Sequence, residues 1–99
     1  MSLFSRFKIV GRSMEPLFKA GDFVVINRLS YLFSQPKPGD IVALRHLKER
    51  NKILLKKIKR EYPKKGYFVV GINQANSYDS RTFGPVGKDL ILGKLWFRY

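Results

Sequence analysis

Two stretches decide the fold: Gly21-Asp22-Phe23-Val24-Val25-Ile26-Asn27 and Gly39-Asp40-Ile41-Val42-Ala43-Leu44-Arg45. In each, a glycine and an aspartate precede a run of apolar, largely β-branched residues. Glycine and aspartate favour turns, because glycine adopts positive φ and a short carboxylate bonds to nearby backbone N–H groups. β-branched apolar runs are typical of buried strands. The two stretches therefore predict two strands, each entered through a tight turn.

The rest of the chain continues this pattern. Extended or apolar runs predict further strands at residues 7–10, 53–60, 67–71 and 90–98, with a helical turn after Pro16 and no sustained helical period. The 99 residues contain no internal repeat and suit one domain, residues 1–99. The expected fold class is mainly β, with short antiparallel strands and little helix.

Charge and composition limit the function. The chain has 20 Lys and Arg against 7 Asp and Glu, a net charge of +13, which predicts attraction to nucleic acid or to an anionic lipid surface. It has no cysteine, which excludes disulfides and thiolate catalysis, and a single histidine, His46, which flanks a predicted strand. No apolar run approaches the roughly 18 residues that cross a bilayer.

Gly11-Arg12-Ser13-Met14-Glu15-Pro16 places a serine at a break in regular structure. Glycine permits close backbone approach, and proline ends a helix or strand. Ser13 can therefore present its hydroxyl and its backbone N–H to a carbonyl group. Taken alone, the pattern is more typical of an ordinary turn serine than of a nucleophile.

Strand alternation distinguishes two adjacent lysines in residues 53–60. Lys56 shares a face with Leu54 and Ile58, whereas Lys57 shares the other face with a further cation, Lys59. If one lysine is buried, it should be Lys56. The alternative is a basic edge strand that discourages aggregation.

Three ordered motifs carry a family resemblance. They are Gly-x-Ser-Met-x-Pro from Gly11, Leu-Leu-Lys-Lys-Ile at 54–58, and Asn-x-x-x-Ser-x-Asp-Ser-Arg-x-x-Gly at 73–84. With the two Gly-Asp turns, they resemble the signal peptidase I family of serine–lysine proteases over nearly the whole chain. The resemblance implies a signal peptidase/LexA-like β-fold that is partly barrel-like.

The resemblance also implies residue roles. Ser13 would be the nucleophile, and its N–H part of the oxyanion hole; Lys56 would be the general base. Ser77 would orient that lysine, and Asp79 and Arg81 would brace the loop, with Gly11 and Asn73 as further supporting residues. An apolar substrate groove would lie near Met14, Leu17 and Phe18, unless these residues are ordinary core.

The physical chemistry agrees with a serine–lysine site. A free lysine has a pKa near 10.4, and burial can lower it by roughly 3–5 units, so that a neutral amine can take the serine proton. No metal or cofactor is needed. The expected function is a serine endopeptidase that removes an N-terminal extension from a protein precursor after small residues.

Several features depart from the family pattern. The loop begins Gly71-Ile72-Asn73 where the larger bacterial enzymes have Gly-Asp-Asn, so Arg81 needs another acidic partner, and Asp79 is the nearest in sequence. Gly11 stands where many members have a second oxyanion hydroxyl. The chain starts about a dozen residues before Ser13, like a short, unanchored core, similar to the maturation proteases associated with nickel superoxide dismutase.

These features lead to expectations about location and partners. We expect a cytoplasmic or peripheral membrane location, with contact to anionic lipid and no nucleic acid partner. Two alternatives remain open. A LexA-like autoprotease core would need a scissile peptide ahead of Ser13. A non-catalytic basic β-domain that binds nucleic acid would use the charge and the aromatic residues.

Overall fold

The structure, a computed structural model, describes residues 3–9, 11–32, 34–49, 52–73 and 78–98. Its six strands form one open antiparallel sheet in the order β1-β2-β6-β3-β4-β5. The mainly β fold class is thus confirmed. The elements are β1 (Phe4–Lys8), β2 (Phe23–Asn27), β3 (Ile41–Arg45), β4 (Ile53–Tyr62), β5 (Gly66–Val70), α1 (Ser80–Phe83), a 3₁₀ helix (Lys88–Leu90) and β6 (Ile91–Arg98).

The two Gly-Asp turns have the same geometry. Gly21 and Gly39 have φ values of 96° and 95°, which only glycine adopts without strain. In both turns the following carboxylate accepts a hydrogen bond from the backbone N–H three residues earlier, at 2.9 Å and 3.1 Å. The glycine N–H and the aspartate C=O then bond to one residue across the turn, Ile9 in the first case and Ile58 in the second. The repeated sequence therefore encodes a repeated way of starting a strand.

The sheet carries a hydrophobic cluster on each face. β3 contributes to both, because Ala43 packs in the first cluster while Val42 and Leu44 pack in the second. The first cluster combines side chains from β1 and β4, which are not neighbours in the sheet, so the sheet curves around it. Its buried members are Ile9, Met14, Phe18, Val24, Ile26 and Ala43.

An incomplete pairing in the sheet positions the site. β5 pairs with β4 only from Lys57 onward, while β3 pairs with β4 from Ile53 to Lys57. Within the described residues, the first half of β4 therefore has a strand on one side only. β1, at the edge of the sheet, is likewise paired on one side, with β2.

The short helix α1 was not foreseen. Residues 80–83 lie in a segment that the sequence presents as a polar loop, and they form a helix that contacts β5. β4 also runs to Tyr62, two residues beyond the predicted strand. The second difference lies at the end of an element, where assignments commonly vary by one or two residues. The first is a single helical turn, too short to show a helical period in the sequence.

Candidate active site

Ser13 lies in the turn that follows β1. Gly11 opens this turn with a φ of 86°, and the N–H of Phe18 closes it on the C=O of Met14 at 2.9 Å. The C=O of Ser13 accepts a hydrogen bond of 2.8 Å from the N–H of Asn73. The serine is therefore held by its own turn and by the segment that follows β5.

Lys56 meets Ser13 from β4. Its side chain is only 2% exposed, and Lys57 beside it is exposed, as alternation along the strand requires. The Lys56 Nζ lies 2.8 Å from the Ser13 Oγ, across 43 positions of sequence. The structure thus brings together the two residues that the resemblance pairs.

Burial changes the protonation of Lys56. The pKa of its amine falls from 10.5 to about 8, mainly because burial removes water from the charged form. The negative charge of Asp79 opposes this shift, and the positive charge of Arg81 reinforces it. An amine with this pKa is partly neutral near pH 7, so it can accept a proton from a hydroxyl at hydrogen-bond distance.

Asp79 and Arg81 form the support of the loop. The Asp79 side chain is fully buried, and its Oδ2 accepts a hydrogen bond of 2.9 Å from the N–H of Gly71. Its Oδ1 accepts one of 3.0 Å from the Arg81 Nε, and the Arg81 guanidinium also contacts Oδ2. Asp79 is therefore the acidic partner of Arg81, as expected from the sequence.

Asp79 also begins α1. Its Oδ1 accepts the N–H of Arg81 at 3.0 Å, which is the usual role of an N-cap aspartate. The next residue, Ser80, is buried, and its Oγ accepts the N–H of Val69 at 2.8 Å. Sequence reasoning missed Ser80 and the helix; the available signals were an aspartate that can act as N-cap, Asp79, and a glycine at the other end, Gly84.

Replacing Asp79 with alanine should lower the free energy of unfolding by about 2–4 kcal/mol, because it leaves the Gly71 N–H unpaired and removes a helix cap. Chemical denaturation measures the loss. Asp22→Ala is the matched control, since it removes one surface hydrogen bond from a turn and should cost about 1 kcal/mol. Equal losses in the two variants would contradict the structural role of Asp79.

The remaining predicted residues are placed as follows. Met14 is buried in the first cluster, while Leu17 is 44% exposed. Phe18 departs from the groove expectation, because it is 4% exposed and packs in the core under the Arg98 guanidinium. Ser77 lies outside the described residues.

A small cavity opens beside Ser13. Its volume is about 80 Å³, and its walls include residues of β1 and β4, which are not neighbours in the sheet. Gly11, Ser13 and Met14 line one side, and Ile53 and Leu55 of β4 line the other. A side chain of a bound peptide could therefore lie next to the serine hydroxyl if that side chain were small.

The backbone around the serine can take part in the chemistry. Within the described ranges, the N–H of Ser13 has no hydrogen-bond acceptor, so it can donate to an oxygen brought to Oγ. A Cβ added at Gly11 would meet nothing within 4 Å, which leaves the approach from that side open. One donor of this kind is worth roughly 2.7–4 kcal/mol to an oxyanion.

The described parts of the chain hold neither a candidate metal site nor a helix that could span a bilayer. No three His, Cys, Asp or Glu side chains there lie close enough together to hold a metal ion. No helix in those parts has both the length and the apolar character needed to span a bilayer.

Known proteins resemble this chain along its length. A family model described as "Signal peptidase, peptidase S26" matches residues 1–60 and 58–99. The mitochondrial ATP-independent inner membrane protease subunit 1b of Arabidopsis thaliana is 33% identical over 89% of this chain and 65% of its own length. Signal peptidase I of Bacillus caldolyticus is 26% identical over 98% of this chain and 80% of its own length.

A mammalian relative gives a similar result. The mitochondrial inner membrane protease subunit 1 of Mus musculus is 29% identical over 89% of this chain and 64% of its own length. The chain thus spans just under two thirds of the two mitochondrial relatives.

Proposed function

Because the chain belongs to the signal peptidase family, peptidase S26, we propose that it is a serine endopeptidase that removes an N-terminal extension from a protein precursor. In this proposal Ser13 is the nucleophile and Lys56 is the general base. The observation that carries it is the 2.8 Å separation between the Lys56 Nζ and the Ser13 Oγ, with the lysine buried.

The proposed reaction uses the neutral amine of Lys56 twice. First, Nζ accepts the hydroxyl proton while the Ser13 Oγ attacks the peptide carbonyl carbon, and the Ser13 N–H donates to the developing oxyanion. The resulting ammonium then gives its proton to the leaving amine as the C–N bond breaks, which leaves an acyl ester on Oγ. A water molecule then attacks the acyl carbon while the same amine takes its proton. The ammonium returns that proton to Oγ as the C–Oγ bond breaks, which frees the serine and restores the neutral amine.

The unpaired side of β4 supports binding of the substrate as an extended strand. The C=O of Lys52 and the N–H of Ile58 both bond toward residues that flank β3, at 2.9 Å and 2.8 Å. Because backbone direction alternates along a strand, the N–H and C=O groups of Ile53 and Leu55 are directed to the opposite side. No strand among the described residues pairs there.

β1 offers a second unpaired edge. The C=O of Leu3 and the N–H of Ile9 bond toward the two ends of β2, at 3.0 Å and 2.7 Å. By alternation, Lys8 directs its backbone groups to the free side. A peptide strand between the two edges could hydrogen-bond to both, which is strand addition with backbone bonds for affinity and side-chain pockets for specificity.

The small cavity beside Ser13 supports a preference for a small residue next to the cleaved bond. Its volume of about 80 Å³ accommodates a methyl group more readily than a branched side chain. We expect a peptide with alanine before the cleaved bond to exceed its leucine counterpart in kcat/KM by roughly 100-fold, since each methylene in a tight site costs about 1–3 kcal/mol.

Mass spectrometry of the products tests both the activity and this preference. The substrates are precursor peptides that differ only at the residue before the cleaved bond, and the control is the Ser13→Ala protein prepared identically. Equal cleavage of the alanine and leucine peptides would contradict the size preference. Products that also form with Ser13→Ala would contradict the proposed nucleophile.

A further inference from the structure

The groove does not end at the small cavity. A hollow of about 740 Å³ lies next to it, between the end of β1 and the segment that joins β3 to β4. The hollow and the small cavity share four lining residues, Phe7, Lys8, Ile53 and Leu54, so the two spaces adjoin. A peptide that lies between β1 and β4 with its reacting bond at Ser13 would therefore extend into the hollow.

The lining of the hollow is largely apolar, and part of its wall is cationic. Lys8, Lys48 and Lys52 line it together with one acidic residue, Glu49. Glu49 binds Lys52 at 2.7 Å, which neutralises one of the three positive charges. Lys8 and Lys48 are exposed and form no ion pair with any residue in the described ranges. Two positive charges therefore remain for a ligand.

His46 adds a hydrogen-bond donor to the same wall. Its Nδ1 accepts hydrogen bonds from the N–H groups of Lys48 and Glu49, at 3.1 Å and 3.0 Å. The imidazole proton of the neutral ring is therefore on Nε2, which is a donor. The ring stacks on Tyr78, with 5.0 Å between centroids, and both residues line the hollow. This stacking fixes the ring and connects the hollow to the residue next to Asp79.

We propose that this hollow is a second substrate subsite, which selects precursors with acidic side chains several residues from the cleaved bond. An extended peptide advances about 3.3 Å per residue, so side chains beyond those next to the serine would reach the hollow. The proposal rests on the proposed function, because it assumes that the peptide lies along the same groove. The proposed basis of selection is charge complementarity: in the solvent-exposed part of the hollow, peptide carboxylates would contact Lys8, Lys48 and the Nε2–H of His46.

Binding to the inactive Ser13→Ala protein tests the subsite without cleavage. Fluorescent peptides carry one alanine for the small cavity and a Glu-Glu or Lys-Lys pair four residues before it, and a second set carries the pair four residues after it. In one of the two sets, the Glu-Glu peptide should bind about tenfold more tightly at low salt, because each exposed charge pair contributes roughly 0.2–1 kcal/mol. The difference in affinity should shrink in 0.5 M salt, because salt screens the interaction between exposed charges.

Charge-reversal variants distinguish binding at the subsite from general attraction to the positively charged protein. Combining Lys8→Glu with Lys48→Glu, on the Ser13→Ala background, should remove or reverse the preference. The matched control is Lys59→Glu, which changes an exposed lysine in the second half of β4, outside the lining of the hollow. Circular dichroism confirms that each variant is folded.

The outcomes separate the two proposals. Equal binding of the Glu-Glu and Lys-Lys peptides would overturn the proposed subsite. A Glu-Glu preference of equal size in both peptide sets would also overturn it. So would a Lys59→Glu variant that loses the preference as fully as the Lys8→Glu, Lys48→Glu variant does. If acidic peptides bind selectively but the wild-type protein never cleaves them, the hollow is a binding site for acidic peptides and the proposed peptidase activity is wrong. Cleavage with no acidic preference overturns the subsite alone.

Discussion

Alanine in place of Ser13 or Lys56 is expected to reduce kcat/KM for an alanine-containing precursor peptide by about 10⁴-fold or more. Ser13→Ala removes the atom that attacks the carbonyl, and Lys56→Ala removes the base that lies 2.8 Å from it. Residues that act as one catalytic unit lose activity non-additively, so the double variant should be no slower than either single one. Steady-state kinetics measure the loss.

The neighbouring lysine provides the control. Lys57 is exposed, and its side chain extends from the opposite face of β4, so Lys57→Ala should keep kcat/KM within about twofold of wild type. Lys56→Arg should be as inactive as Lys56→Ala, because a guanidinium does not give up its proton in proteins. An inactive Lys57→Ala variant would show that Lys56 is not the base. So would an active Lys56→Ala variant whose free energy of unfolding equals that of wild type.

The pH dependence of kcat/KM is expected to follow the Lys56 amine. Only the neutral form accepts a proton, and the pKa of Lys56 is lowered to about 8 by burial. Activity should therefore rise with pH and level off above about pH 8. Below that value each pH unit lowers the neutral fraction about tenfold, so kcat/KM at pH 6 should be roughly 100-fold below its plateau.

Ionisation of the substrate or partial unfolding of the enzyme would also change kcat/KM with pH. The alanine peptide should therefore contain no group that titrates between pH 6 and 9.5, and circular dichroism should be constant over that range. Lys57→Ala should show the same rising limb as wild type. A profile that is flat from pH 6 to 9.5 would contradict a lysine base.

Local sequence patterns predicted most of the strands. The runs at 23–27 and 41–45 are strands at those positions, because glycine, aspartate and β-branched residues each favour the same local geometry. Alternation also identified Lys56, rather than Lys57, as the buried lysine, since a strand allows only one of two adjacent side chains on a given face. In both cases, residues within five positions of each other were enough to predict the local structure.

Contacts between distant segments were harder to predict. Phe18 belongs to the core because the sheet curves around it, and nothing in residues 11–18 indicates that curvature. The buried hydroxyl of Ser80 bonds to β5, eleven residues away, so its role depends on how the loop returns to the sheet. The hollow beside His46 likewise exists only because β1 and the connection between β3 and β4 come together in the fold.

The ordered motifs pointed to Ser13 and Lys56 through family resemblance rather than through any local rule. A serine near a glycine and a lysine in a strand are each common, and 43 positions separate them. Their 2.8 Å separation results from the paths of the serine turn and β4 in the folded sheet. This geometry is what makes a precursor-processing peptidase the proposed function.

The most direct test is an NMR titration of the lysine side chains in ¹⁵N,¹³C-labelled protein, with the Lys56 signal assigned by its loss in Lys56→Met. We predict that this amine titrates near pH 8, as its lowered pKa requires, and that its midpoint agrees with the rising limb of kcat/KM. A Lys56 amine that titrates near 10.4, with the ordinary exposed lysines, would contradict the account.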